Sequence, residues 1–151
     1  MTAYLTRRAA LGLMGAVPLA WAGVPEAKAN SQLGFDELYA SFGVLGLEFS
    51  EKVKQLSGQT TSIAGFMAPP LKAESDFFVL TEIPMALCPF CSTDADWPDN
   101  ILVVYLNRQQ TFVQFNRPIE ASGVLEYGPW RDPDTGFLSL LRLRQASFKE
   151  V

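Results

Sequence analysis

Thr60-Thr61-Ser62-Ile63-Ala64-Gly65-Phe66-Met67 is the stretch in which the apolar period of this chain changes from helical to extended. Just upstream, Phe49, Val53 and Leu56 recur at i, i+4 and i+7, with Glu51, Lys52, Lys54 and Gln55 between them. That spacing builds one apolar helix face. Ser50 stands where an N-cap belongs, and Gly58 lies just past the end. After Gly58 the period becomes two, which predicts a first strand over 60–67. Gly65 marks a bend in it, and Ala68-Pro69-Pro70 ends it.

Downstream, the same reasoning predicts four more strands. The second covers 76–83 and carries Phe77, Phe78, Val79 and Leu80. The third, Ile101-Leu102-Val103-Val104-Tyr105-Leu106, is a continuous apolar run, as in strands buried on both faces. The fourth covers 119–127, with Gly123 as a bulge, and the fifth and longest covers 137–148. Between the last two, Pro129-Trp130-Arg131-Asp132-Pro133-Asp134-Thr135-Gly136 supplies turn residues. Asp132-Pro133-Asp134-Thr135-Gly136 faintly resembles a calcium loop, but the later bidentate Glu is missing, so it reads as a turn. Upstream of the whole set, Phe35, Leu38, Tyr39 and Phe42 fall at helical spacing and predict a second short helix. The expected architecture is all-β: a small five-stranded OB-like Greek-key barrel with one or two short N-terminal helices. An open five-stranded sheet backed by the helix is the rival. There is no internal repeat.

The N-terminus reads as an export signal. Thr6-Arg7-Arg8-Ala9-Ala10-Leu11 precedes an apolar run to about Val24, and two small-x-small sites follow, Ala20-Trp21-Ala22 and Ala27-Lys28-Ala29. This is the positive, apolar, cleavable order of a secretory signal. The Arg7-Arg8 pair, with Thr6 before it and Leu11 after it, resembles the twin-arginine pattern; Ala10 stands where Phe is common, which leaves the general secretory route as the alternative. The run is shorter than the roughly 20 apolar residues a spanning helix needs, and Pro18 and its glycines weaken a helix. The expected organisation is a twin-arginine-type signal over 1–29, a lead-in over 30–48 and a β domain over 49–151. The mature part is expected to work in the periplasm, with no stable membrane span after cleavage.

Charge and composition narrow the functions. The 151 residues are 48% apolar and 19% charged, a globular mixture. The net charge is −4. Without Arg7, Arg8, Lys28 and Glu26 of the signal, 9 of the 12 basic and 15 of the 16 acidic residues remain, a net −6. Phosphate-backbone binding needs a basic surface, so no nucleic acid is expected. There is no histidine, which excludes imidazole bases, His-based triads and His metal ligands.

Cys88-Pro89-Phe90-Cys91 contains both cysteines of the chain, and three readings stay open. A C-x-x-C pair can act as a redox dithiol through a thiolate of lowered pKa. The segment that follows, Ser92-Thr93-Asp94-Ala95-Asp96-Trp97-Pro98, is short, acidic and stopped by Pro98. It offers no long helix, and its aspartates raise a nearby thiol pKa. The same two thiolates suit Zn(II) or Cu(I). Met67 and Met85 could complete a copper site, and Asp94, Asp96 or Asp99 a zinc site. The third reading is a small disulfide ring that pins the loop in an oxidising compartment. Elsewhere, Trp97 and Trp130 flank loops and read as buried anchors, with the lining of a ligand groove as the alternative. Arg142 and Arg144 alternate with Leu141 and Leu143 and are expected on a solvated face, with an anion or partner site as the alternative. Glu120 and Glu126 share a strand without forming a catalytic pair.

Several stretches together carry a resemblance: Ile63-Ala64-Gly65-Phe66-Met67-Ala68-Pro69-Pro70-Leu71, Phe77-Phe78-Val79-Leu80, Pro84 with the cysteine loop, Ile101-Leu102-Val103-Val104-Tyr105, and Pro118-Ile119-Glu120-Ala121-Ser122-Gly123-Val124-Leu125. From about Phe49 to Val151 the chain resembles uncharacterised bacterial envelope domains of OB-like fold, catalogued as a domain of unknown function. Many of those domains carry a Cys-Ile-His and a proline run where this chain has Cys88-Pro89-Phe90-Cys91. The resemblance therefore implies fold and compartment, while a metal role built on Cys plus His does not transfer. The resulting expectation is an exported, non-enzymatic accessory protein, serving an envelope partner, a transporter or Zn or Cu handling through its cysteine loop. The alternative is a periplasmic thiol-disulfide oxidoreductase using Cys88 and Cys91.

Overall fold

A computed structural model describes residues 31–43, 46–69, 76–86 and 97–151. The 1–29 signal region lies outside the described residues. Among the described residues, eight strands and one α-helix follow one another: β1 (Ser31–Leu33), β2 (Tyr39–Gly43), β3 (Gly46–Phe49), α1 (Glu51–Leu56), β4 (Thr60–Met67), β5 (Phe77–Thr81), β6 (Ile101–Leu106), β7 (Pro118–Arg131) and β8 (Leu138–Glu150). The protein is all-β in class, with one large mixed sheet and very little helix among the described residues.

The large sheet has the order β1-β4-β5-β6-β8-β7, and β4 also pairs with β7. The pairings therefore run in a closed circuit from β4 through β5, β6, β8 and β7 back to β4. All links in the circuit are antiparallel except β6–β8, which is parallel. β1 adds a parallel edge on Thr61–Ile63. β2 and β3 form a separate antiparallel hairpin.

β4 occupies 60–67, the segment in which the sequence period changes. Its residues facing the centre, Ile63 and Met67, are 1% exposed. Gly65 is where β4 comes closest to β5: a Cβ there would lie 2.7 Å from the Thr81 carbonyl oxygen and 3.0 Å from the Phe35 ring. Backbone contact at that distance leaves no room for any side chain. At β7, Gly123 coincides with a register shift against β8 between Ser122 and Val124, the bulge its sequence position predicts. A second irregularity, between Val104 and Leu106 against β8, coincides with Gln145 at φ +49°.

α1 begins where Ser50 predicts. The Ser50 Oγ accepts from the Val53 N–H at 3.2 Å and donates to the Glu37 carbonyl at 2.5 Å. One face of the helix buries Val53 completely. Gly58, at φ +78°, lets the chain turn into β4.

The segment 35–42 does not form the second helix its spacing predicts. Phe35–Glu37 make a single 3-10 turn, and Tyr39 then starts β2. β2 instead finds backbone partners in β3, where Tyr39 pairs with Phe49 and Gly43 with Gly46. The turn alone suffices to place Leu38 at 0% exposure, with Phe35 and Tyr39 against the same core. The Glu37 carboxylate ties down the turn by accepting from the Gly34 N–H and from Lys52 Nζ. The Lys52 contact and then the Gly34 contact hold the Glu37 pKa below its ordinary value.

β5 and β6 are buried on both faces. Phe78, Leu80, Leu102 and Val104 point into the main core with Ile119, Leu125, Leu141 and Leu143. On the opposite face Val79 and Ile101 form a second cluster with Ala68, under Trp97 and Phe137. The continuous apolar run at 101–106 has this double burial as its cause.

Candidate functional site

The long connection between β5 and β6 carries the cysteine motif, and the fold fixes its root. β5 and β6 pair from Phe77 opposite Tyr105 to Thr81 opposite Ile101. One step further, the Glu82 N–H donates to the Asn100 carbonyl at 3.1 Å. The buried Thr81 hydroxyl donates to the Ile83 carbonyl at 2.7 Å and lies 3.2 Å from that of Phe66. On the returning side, Trp97 packs against both core clusters. Its Nε1–H donates to the Tyr39 hydroxyl at 2.9 Å, so the hairpin β2–β3 is tied to the loop root. Burial pushes the Tyr39 pKa up to about 12; the Trp97 indole opposes the rise and the Asp99 charge adds to it.

Residues 87–96, with Cys88, Cys91, Asp94 and Asp96, lie outside the described residues, as do Arg7 and Arg8. Of the other candidate ligands, Met67 is 1% exposed in the main core on β4. Met85 is half-buried, four residues beyond the end of β5. Asp99 is exposed in the turn that leads into β6. Among the described residues no three His, Cys, Asp or Glu side chains gather as a ligand set, and no helix is long and apolar enough to cross a membrane.

A second cluster lies at the distal part of β7 and β8. Trp130 and Tyr105 meet edge to face, with centroids 5.1 Å apart and planes at 90°. The Arg144 guanidinium sits in the corner between them, 4.6 Å from the Trp130 centroid and 5.3 Å from that of Tyr105. Arg142 approaches the same indole at 5.3 Å. Cation–π contact at these distances is attractive. Tyr105 continues into Phe77 at 5.3 Å, and Phe77 into Phe137 at 5.4 Å.

Arg142 does not stand on a solvated face: it is 7% exposed. Its Nε donates to Glu126 Oε2 at 2.8 Å and its Nη1 to the Gly128 carbonyl at 2.9 Å. The alternation with Leu141 and Leu143 correctly turns Arg142 away from the main core. The distal part of the β7–β8 hairpin then folds Trp130 over that face, which buries the guanidinium. Sequence reasoning missed Tyr105 as part of this cluster; an unbroken apolar run gives no sign that its one tyrosine lies under an arginine.

The Tyr105 hydroxyl oxygen is buried and makes no hydrogen bond of ordinary geometry among the described residues. Its pKa is raised to about 12, first by burial and then by the Asp132 charge, while Ser139, Arg144 and Arg142 pull the other way.

The remaining acidic candidates are engaged. Glu120 pairs with Lys149 at 2.7 Å, and that contact, then Ser62, holds its pKa below the ordinary value. Asp132 is 7% exposed, and its Oδ1 accepts from the Asp134 and Thr135 N–H groups at 2.8 and 3.1 Å. This is the turn chemistry of an Asx residue.

The fold resembles that of a DUF3299 family protein from Pseudomonas aeruginosa PAO1. The TM-score is 0.52 at 11% sequence identity, over 82% of this chain and 97% of the other. At that identity the likeness extends to the fold alone. No family model matches the chain, and no curated protein does either.

Proposed function

We propose that this is an exported envelope accessory protein that presents Cys88 and Cys91 to a metal ion or a partner protein, without catalysing thiol-disulfide exchange. One observation carries the proposal. Five residues separate Cys91 from Trp97, and Trp97–Asn100 run through a turn directly into β6. Catalytic C-x-x-C pairs owe their low thiol pKa to the N-terminus of a following helix or to a neighbouring cation. The five residues include two aspartates, whose charge raises a nearby thiol pKa, and Pro98 follows them. A dithiol on a root fixed by Thr81, Trp97 and Tyr39 suits capture, with Zn(II) or Cu(I) as the metals that fit thiolates and Met85 available beside the root.

The compartment in this reading rests on Thr6-Arg7-Arg8 and the apolar run that follows. The finer architecture belongs to the same proposal: a five-stranded OB-like Greek-key barrel. The closed circuit β4–β5–β6–β8–β7 and the parallel β6–β8 link support it.

The test is the thiol chemistry of the reduced protein. The proposal requires a first-cysteine pKa at or above about 8.5 and no turnover of a test disulfide at catalytic concentration. A pKa well below that value, with multiple turnovers, would establish the oxidoreductase instead.

A further inference from the structure

Arg144 is the cation of the distal cluster that has no carboxylate within ion-pair distance among the described residues. Its neighbour Arg142 is neutralised by Glu126 and by the Gly128 carbonyl. The Arg144 side chain has only ring faces for partners among the described residues: Trp130 at 4.6 Å and Tyr105 at 5.3 Å. A guanidinium has five N–H donors in a planar fork. Stacking on rings engages its face and leaves its edge free. Two arginines on one indole repel each other, and only one of them has a carboxylate.

We propose that Arg144, cornered by Trp130 and Tyr105, is a binding site for a carboxylate-bearing ligand. The geometry of the fork matches two coplanar oxygens. The two rings fix its orientation before binding, so little side-chain entropy remains to be lost. They also offer a surface on which an apolar part of the ligand can lie. The net charge of −4 works against densely charged ligands such as polyphosphates, and a singly charged carboxylate avoids most of that repulsion.

The experiment is a titration of the 15N-labelled full chain with benzoate, benzamide and inorganic phosphate, following the Arg144 Nε–Hε and Trp130 Nε1–Hε1 resonances. Benzamide has the shape of benzoate without its charge. The proposal requires saturable shifts of both resonances with benzoate and none with benzamide. Arg144→Ala should abolish the Trp130 response while the spectrum stays dispersed. Arg144→Lys, which keeps the charge but not the fork, should weaken binding about tenfold. Equal responses to benzoate and benzamide, tighter binding of phosphate than of benzoate, an unaltered response in Arg144→Ala, or no saturation in the parent protein would each overturn it.

Discussion

The Trp97 indole and the Tyr39 hydroxyl meet at 2.9 Å across 58 positions of chain. This bond joins the β2–β3 hairpin to the exit of the cysteine-bearing connection. A net hydrogen bond of this kind contributes about 1 kcal/mol, and a buried donor left unpaired costs about 1–3 kcal/mol. Tyr39→Phe should therefore destabilise the fold by about 1–2 kcal/mol. Trp97→Phe should cost more, through lost packing. The double variant should fall short of the sum, because the second change removes a group already orphaned. A urea-denaturation double-mutant cycle measures this coupling.

Tyr39 and Tyr105 both have pKa values raised to about 12 from an ordinary 10.0. A raised folded-state value means that the folded protein holds these protons more tightly than the unfolded chain. The resulting stability is complete below pH 10, falls as the pH rises from 10 towards 12, and is lost above. Absorbance titration of the phenolates should show two tyrosines ionising late. The fall in stability over that window should shrink in Tyr39→Phe and in Tyr105→Phe.

Arg142 is nearly enclosed, whereas the Glu126 side chain is 42% exposed. Removing the carboxylate leaves a buried charge with one carbonyl partner. Fully buried broken pairs cost about 3–5 kcal/mol. Solvent around Glu126 screens this one, so Glu126→Gln should cost about 1–2 kcal/mol. The loss should exceed that of Glu120→Gln, whose partner Lys149 is 73% exposed. Thermal unfolding of the two variants makes the comparison.

Gly65→Ala should destabilise by about 1–3 kcal/mol, the usual cost of overpacking. The new methyl group meets the Thr81 carbonyl at 2.7 Å, and backbone cannot move aside as a side chain can. Denaturation midpoints of the variant and parent proteins provide the check.

Gly65 also shows how far the sequence could be read. A glycine inside a strand-period segment announced an unusual backbone, and the bounds of β4, the Ser50 cap, the Gly123 bulge and the double burial of β6 all followed from local pattern. Each of these is decided by residues within a few positions of one another. β2 was not legible, because Phe35, Leu38 and Tyr39 satisfy helical spacing equally well. The choice was made by β3 and by Trp97, which lies 58 positions from Tyr39. The burial of Arg142 was hidden for a similar reason: alternation gives the face of a strand, not what the far end of a hairpin later lays over it. The two cysteines were the plainest chemical signal in the sequence, yet spacing alone could not decide between their possible uses.

Native mass spectrometry of the protein recovered from periplasm tests the central claim most directly, with Cys88→Ser/Cys91→Ser as its comparison. The account predicts a processed chain that begins near Asn30 and carries zinc, copper or a partner chain, and a double variant that carries none. An unprocessed chain, or a bare chain identical in load to the double variant, would contradict it.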